Sequence, residues 1–133
     1  VENIKMYIEN SRQRADFSVL VGSDSKILTA LKLGADGAVA ATSNVLTKTD
    51  VAIYDLYQSG DLAKAQVLQA SIDEFRRVLK FATVPAVLKY SCDLIGYPVG
   101  KTKLPVLPAE GKYVAEIKEV LTTYGTIEGF EVQ

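Results

Sequence analysis

The chain has 133 residues with 15 basic and 16 acidic side chains, a net charge of -1, no His, no Trp and one Cys. A near-neutral balance gives no electrostatic footprint for nucleic acid and no basic surface for anionic lipid. Without His, Ser-His-Asp triads, Cys-His dyads and His-bound zinc are excluded within this chain, and a lone Cys forms no internal disulfide.

The first segment, 1–14, places Ile4, Tyr7, Ile8 and Ser11 at helical spacing with charged residues between them, which predicts an amphipathic helix. Residues 17–21 are an apolar, β-branched run that ends at Gly22, Ser23 and Asp24, and read as a buried strand followed by a tight turn. Ser23, Asp24 or Ser25 is expected to cap the next helix, whose apolar face is Ile27, Leu28, Leu31 and Leu33 and whose stop is Gly34. Residues 37–41 form a second short strand of small side chains. Asn44 after it is expected to cap a helix rather than tie a loop.

From Thr49 the pattern is helical. One helix runs to about Tyr57, with Val51, Ile53, Tyr54 and Tyr57 as buried candidates. Ser59 and Gly60 break it, and Asp61 caps a long helix carrying Leu62, Ala65, Leu68, Ile72, Phe75 and Leu79. Pro85 opens a further helix, in which Cys92, spaced from Leu88 and Ile95, reads as a small buried hydrophobe. Residues 96–108 form an ordered Pro/Gly-rich loop, a last helix spans about Glu110 to Tyr124, and 125–133 is expected to be a tail.

Two strands separated by a helix should pair in parallel as a βαβ unit. A two-stranded parallel sheet has two raw edges, and no third strand of comparable quality is present, so the sheet is expected to continue outside this chain.

The runs from Phe17 to Asp24 and from Leu31 to Asn44 resemble the seventh and eighth strands of the dihydrodipicolinate synthase and N-acetylneuraminate lyase family, Schiff-base-forming (class I) aldolases on a TIM barrel. Ser59 to Ala65 is similar to that family's Gly-Asp-x-x-x-Ala helix start. Gly96 to Pro108 resembles its Gly-x-x-x-Gly-x-x-Arg-x-Pro-x-x-Pro segment, with Lys103 in place of the Arg; the charge is kept and the planar fork lost. The resemblance covers about Phe17 to Tyr124. It implies an α/β fold, the C-terminal part of a TIM (β/α)8 barrel contributing its last two strands over 1–47, followed by the last barrel helix and a C-terminal helical region over 48–133. It also implies that the chain begins just downstream of its catalytic lysine, with the proton-relay Tyr and the carboxylate-binding Thr pair on earlier strands, so no catalytic residue is expected here.

In such a barrel the chemistry sits at the C-terminal ends of the strands. The resemblance implies that Gly22, Ser23, Asp24 and the backbone around Val39 bind substrate: Gly22 by close backbone approach, Ser23 or Asp24 through hydroxyl groups. The same residues also read as a turn and helix cap. The substrate is expected to be pyruvate with an aldehyde, or a 2-keto-3-deoxy acid. Ser25 and Ala41 depart from the residues sialic-acid lyases carry, which leaves dihydrodipicolinate synthase and 2-keto-3-deoxy-sugar-acid aldolase close. Lys26, Lys32, Lys80 and Lys89 read as helix-surface lysines rather than nucleophiles, which need desolvation to be neutral.

The expected protein is cytoplasmic and homo-oligomeric (dimer or tetramer), works without cofactor or metal, and needs the missing barrel portion or a companion chain. The alternative is a non-catalytic helical interaction module derived from barrel sequence.

Overall fold

A computed structural model describes residues 1–109 and 111–133. The elements, in order, are α1 (Glu2–Ser11), β1 (Leu20–Val21), α2 (Ile27–Leu33), β2 (Gly37–Ala38), α3 (Thr47–Gln58), α4 (Leu62–Ser71), α5 (Asp73–Leu79), α6 (Ala86–Leu94) and α7 (Val114–Glu128). The expected start of the last helix at Glu110 lies outside the described residues.

β1 and β2 pair in parallel, Leu20 opposite Gly37 and Val21 opposite Ala38, with α2 as the crossover. The ladder is shorter than the apolar runs suggest. Ahead of β1, the backbone N–H of Val19 donates to the Asp36 carboxylate at 2.7 Å, so a side chain takes a bond that a longer ladder would have used. The pairing is close at Gly37: a Cβ there would stand 3.3 Å from Leu20 Cδ2, so the Leu20 side chain would have to give by a few tenths of an ångström. Ala38 packs against apolar residues on both sides of the crossover, the role expected of a small side chain. Among the described residues these are the two strands of the sheet, and both outer edges are open.

Local signals set several boundaries as expected. Gly34 is left-handed (φ 102°) and closes α2 through its N–H to the carbonyls of Ala30 and Leu31. Asp61 caps α4 by accepting from Lys64 N at 3.1 Å. Other expectations fail.

Ser23, Asp24 and Ser25 make no side-chain cap. A 3-10 turn over Asp24–Lys26 leads into α2 instead. Asn44 ties its own turn by donating to Ala41 O at 3.0 Å, and Leu46 occupies the N-cap of α3.

The helix expected from Asp61 to Leu79 breaks at Ile72 without Pro or Gly. The Tyr124 hydroxyl of α7 stands in the backbone ladder there. It donates to Ser71 O at 2.6 Å and accepts from Phe75 N at 3.3 Å, where the helix would have joined those two groups directly.

The expected tail is structure. α7 continues to Glu128, which is buried, and the Gln133 N–H donates to Leu94 O at 2.8 Å. The Glu128 carboxylate accepts from Lys48 N, Thr49 N and Thr49 Oγ1, so it caps α3 from the far end of the chain.

The largest core gathers Val45, Leu46 and Ile72 with Phe75, Val78, Val87, Ile117 and Leu121 from α5, α6 and α7. Cys92 belongs to it, as expected, and burial pushes its thiol pKa up, away from the thiolate. A second core joins α2, α3 and α4 through Leu28, Leu31, Ile53 and Ala65; a small third one seats Ile8 of α1 on Val21 and Ala30. Val51 and Tyr54, expected inside, are exposed on α3, and Leu62 is exposed on α4. No described helix is long and apolar enough to cross a membrane.

Candidate active-site mouth

Parallel strands joined by a crossover deliver their C-terminal ends to one side of the sheet. β1 runs on into Gly22, Ser23 and Asp24, and β2 into Val39, Ala40 and Ala41. On that side Asp24 and Ala41 line a cavity of about 230 Å³ whose opposite wall is α5 and the start of α6. Leu79, Val87 and Leu88 make much of the surface, and Arg76 and Lys80 contribute the cations.

Of the sequence-predicted substrate residues, Asp24 lines this cavity, and Gly22, Ser23 and Val39 do not. Gly22 is exposed, with open space where a Cβ would stand. Ser23 Oγ lies 3.2 Å from Ser25 Oγ, and Val39 is 68% exposed just past β2.

Gln69 of α4 fixes the turn that carries Asp24. Its amide nitrogen donates to Asp24 O at 2.9 Å and its oxygen accepts from Leu28 N at 2.9 Å. Sequence reasoning passed it over, although a signal was present. Gln69 lies four residues after Ala65 and three before Ile72, on the buried face of α4. A polar residue on an apolar stripe needs a partner, and a backbone turn supplies two.

Asp50 of α3 fixes the turn after β2. Its Oδ2 accepts from Thr42 Oγ1 at 2.7 Å and from Ser43 Oγ at 2.8 Å. Among the described residues its Oδ1 is buried without a partner, and Asp50 lines a second cavity, of about 260 Å³, with Gly37, Ala38, Val51 and Tyr54. Burial raises the Asp50 pKa above its ordinary 3.8; the two hydroxyls pull it back, and the charges of Asp24 and Glu128 push it further up.

The folded chain thus holds the Asp50 proton to higher pH than the unfolded chain does. This group's contribution to stability falls as pH rises from about 3.8 through the raised folded value. Asp50→Asn removes that fall. Urea melts at pH 4 and pH 7 should show the variant gaining on the parent as pH rises; a pH-independent difference contradicts the assignment.

None of the four lysines weighed as nucleophiles sits in a dry pocket. Lys32 and Lys80 are exposed, Lys26 is half-buried, and Lys89 donates to Lys101 O at 3.1 Å. Among the described residues no group of three His, Cys, Asp or Glu is placed to hold a metal ion.

A family model, the dihydrodipicolinate synthetase family, matches residues 1–124. Over 125 residues the chain is 30% identical to the 4-hydroxy-tetrahydrodipicolinate synthase of Methanoculleus marisnigri, covering 94% of this chain and 43% of that protein. It is 32% identical to a probable 2-dehydro-3-deoxy-D-pentonate aldolase of Escherichia coli K12, covering 86% of this chain and 38% of that one. A prophage protein of the dihydrodipicolinic acid synthase family from E. coli K12, solved in complex with pyruvate, superposes with a TM-score of 0.79 at 26% identity, over 90% of this chain and 41% of that chain. The chain therefore spans less than half the length of these relatives.

Proposed function

The chain belongs to the dihydrodipicolinate synthetase family, and from that we propose that it is the C-terminal portion of a pyruvate-dependent Schiff-base lyase or aldolase. The catalytic lysine lies on a strand outside this chain. The observation that carries the reading is the parallel β1–β2 pair, open at both edges, whose C-terminal ends meet at the cavity holding Asp24. A parallel pair of this kind gains stability only when flanked by further strands and covered on both faces.

In the intact enzyme a neutral lysine amine condenses with the pyruvate carbonyl, releasing water. The imine loses a methyl proton to give an enamine, which adds to an aldehyde; cleavage runs the same steps in reverse. This chain supplies part of the mouth. Asp24 accepts hydrogen bonds from hydroxyl groups of the aldehyde portion, Gln69 holds Asp24 in register, and Asp50 holds the turn that ends β2. The pyruvate of this reading follows the related prophage protein solved with pyruvate, and the synthase and the probable deoxy-pentonate aldolase among the relatives leave the second substrate open between those two types. The alternative, a helical interaction module, draws no separate support. Exposed Val51 and Tyr54 flank the open edge of β2, where further barrel strands would cover them.

Incubated with pyruvate and borohydride, the chain alone is expected to gain no adduct by intact-mass measurement. None of these lysines sits in a dry pocket of the kind that activates an amine nucleophile. Stoichiometric reduction onto Lys26, Lys32, Lys80 or Lys89 would overturn the placement of the nucleophile outside the chain.

A further inference from the structure

α6 stands between two hollows. Val87 and Leu88 line the strand-end cavity, while Lys89, Tyr90 and Asp93, recurring at helical spacing, line another of about 290 Å³. Its other wall is the loop after α6, with Gly100, Lys101 and Thr102. Two bonds fix that loop to the helix. Asp93 Oδ1 accepts from Val99 N at 3.0 Å, and the half-buried Lys89 donates to Lys101 O at 3.1 Å.

Donors outnumber acceptors around this hollow. The Lys89 ammonium spends one of its three N–H groups on the loop and keeps two. Lys101 adds a second ammonium and Tyr90 a phenol. Neither lysine has an ion pair among the described residues. Asp93 is the one acid among the described lining residues, and Val99 already occupies one of its oxygens. Thr102 Oγ1 is buried without a hydrogen-bond partner among the described residues. A buried hydroxyl calls for a partner, and with donors in excess that partner is an acceptor.

We infer that this hollow is a binding site for a phosphate group, inorganic or carried by a small phosphomonoester, held by Lys89, Lys101, Tyr90 and Thr102. The donor set favours phosphate over carboxylate. No Arg is among the described lining residues, so the planar fork that matches a carboxylate is missing. Ammonium point charges and hydroxyl groups, each bonding from its own direction, suit a tetrahedral oxyanion. A volume of about 290 Å³ holds a phosphate with an organic part of a few carbons. The site is built from α6 and the loop after it, and owes nothing to the proposed lyase chemistry.

The test adds inorganic phosphate, glycerol 3-phosphate and acetate, at fixed ionic strength, to the ¹⁵N-labelled chain and follows backbone amides. Phosphate, glycerol 3-phosphate or both should give saturable shifts at Lys89, Tyr90 and residues 100–102, and acetate none. The tighter of the two tells a free from an esterified phosphate. Lys89→Gln and Lys101→Gln should each weaken binding about tenfold, the loss of one charge-assisted bond. Asp93→Asn should tighten it by removing a repelling charge. Lys101 is exposed, so its variant folds as the parent does, which a thermal melt verifies. Thr102→Val separates binding from structure. Its hydroxyl makes no bond in the free chain, so the melting temperature should hold while the rise caused by phosphate shrinks. Absence of saturable binding by either phosphate, equal binding of acetate, or binding that neither lysine variant weakens overturns the site. Pyruvate trapping enters none of these readouts, so the site and the proposed function stand or fall separately.

Discussion

Glu128→Ala should destabilise the chain by about 3 kcal/mol, from the loss of charge-assisted hydrogen bonds to two backbone amides and one hydroxyl. At this size that lowers the melting temperature by about 10 °C. α3 has no side-chain cap of its own, because Leu46 stands at its N-cap. The amides of Lys48 and Thr49 are helix-terminal donors that must find a partner outside the helix. Glu128 supplies it, accepting both at 2.9 Å and the Thr49 hydroxyl at 2.6 Å while only 9% exposed. An ordinary cap lost to Ala costs about 0.5–2 kcal/mol. Here the acceptor is a buried carboxylate at the positive end of a helix, which raises the figure. Glu128→Gln keeps the shape but turns one acceptor into a donor facing donors, so it should fall between the parent and Glu128→Ala. Thermal melts of the three proteins check this order. A change below about 0.5 kcal/mol, the size of an ordinary surface substitution, would mean that water reaches those amides.

The residues that govern this fold divide by the reach of their signals. Gly34 and Asp61 act on the helix beside them, and both were readable because a left-handed stop or a cap leaves its mark within four residues. Glu128 acts on residues 79 and 80 positions away, Gln69 on residues 41 and 45 away, and Tyr124 on residues 49 and 53 away. Nothing in the local pattern names such partners. The segment 125–133 therefore read as a tail, and the α4–α5 break was invisible. Val51 and Tyr54 misled for another reason. They lie on α3 beside the open edge of β2, so a pattern that suits a buried face is here turned toward uncovered strand. At the mouth, Asp24 was legible from the motif that ends β1. Arg76 and Lys80 were not, since a cation near a helix end is ordinary until the fold brings it to the cavity that Asp24 also lines.

Tyr124→Phe should cost about 2 kcal/mol, roughly 1 kcal/mol for each of the two hydrogen bonds made by the hydroxyl. The ring is to remain where it is, edge-on to Phe75 at 6.4 Å, so that only the oxygen is lost. Burial raises the pKa of that hydroxyl, which stays protonated and keeps donating to Ser71 O. With the oxygen gone, two responses are open to the backbone. If α4 and α5 hold their angle, Ser71 C=O and Phe75 N–H remain unpaired and the full loss appears in a urea melt. If they straighten, those groups bond directly, the loss shrinks, and the Phe75 amide becomes protected from hydrogen exchange. Straightening swings α5 relative to α4, and with it Arg76 and Lys80, while Gln69 on α4 still holds Asp24. A variant of near-parent stability should therefore show a protected Phe75 amide, and one with the full stability loss an unprotected one. The break at Ile72 is then the joint that sets the two walls of the cavity against each other, and it is made by a hydroxyl from α7.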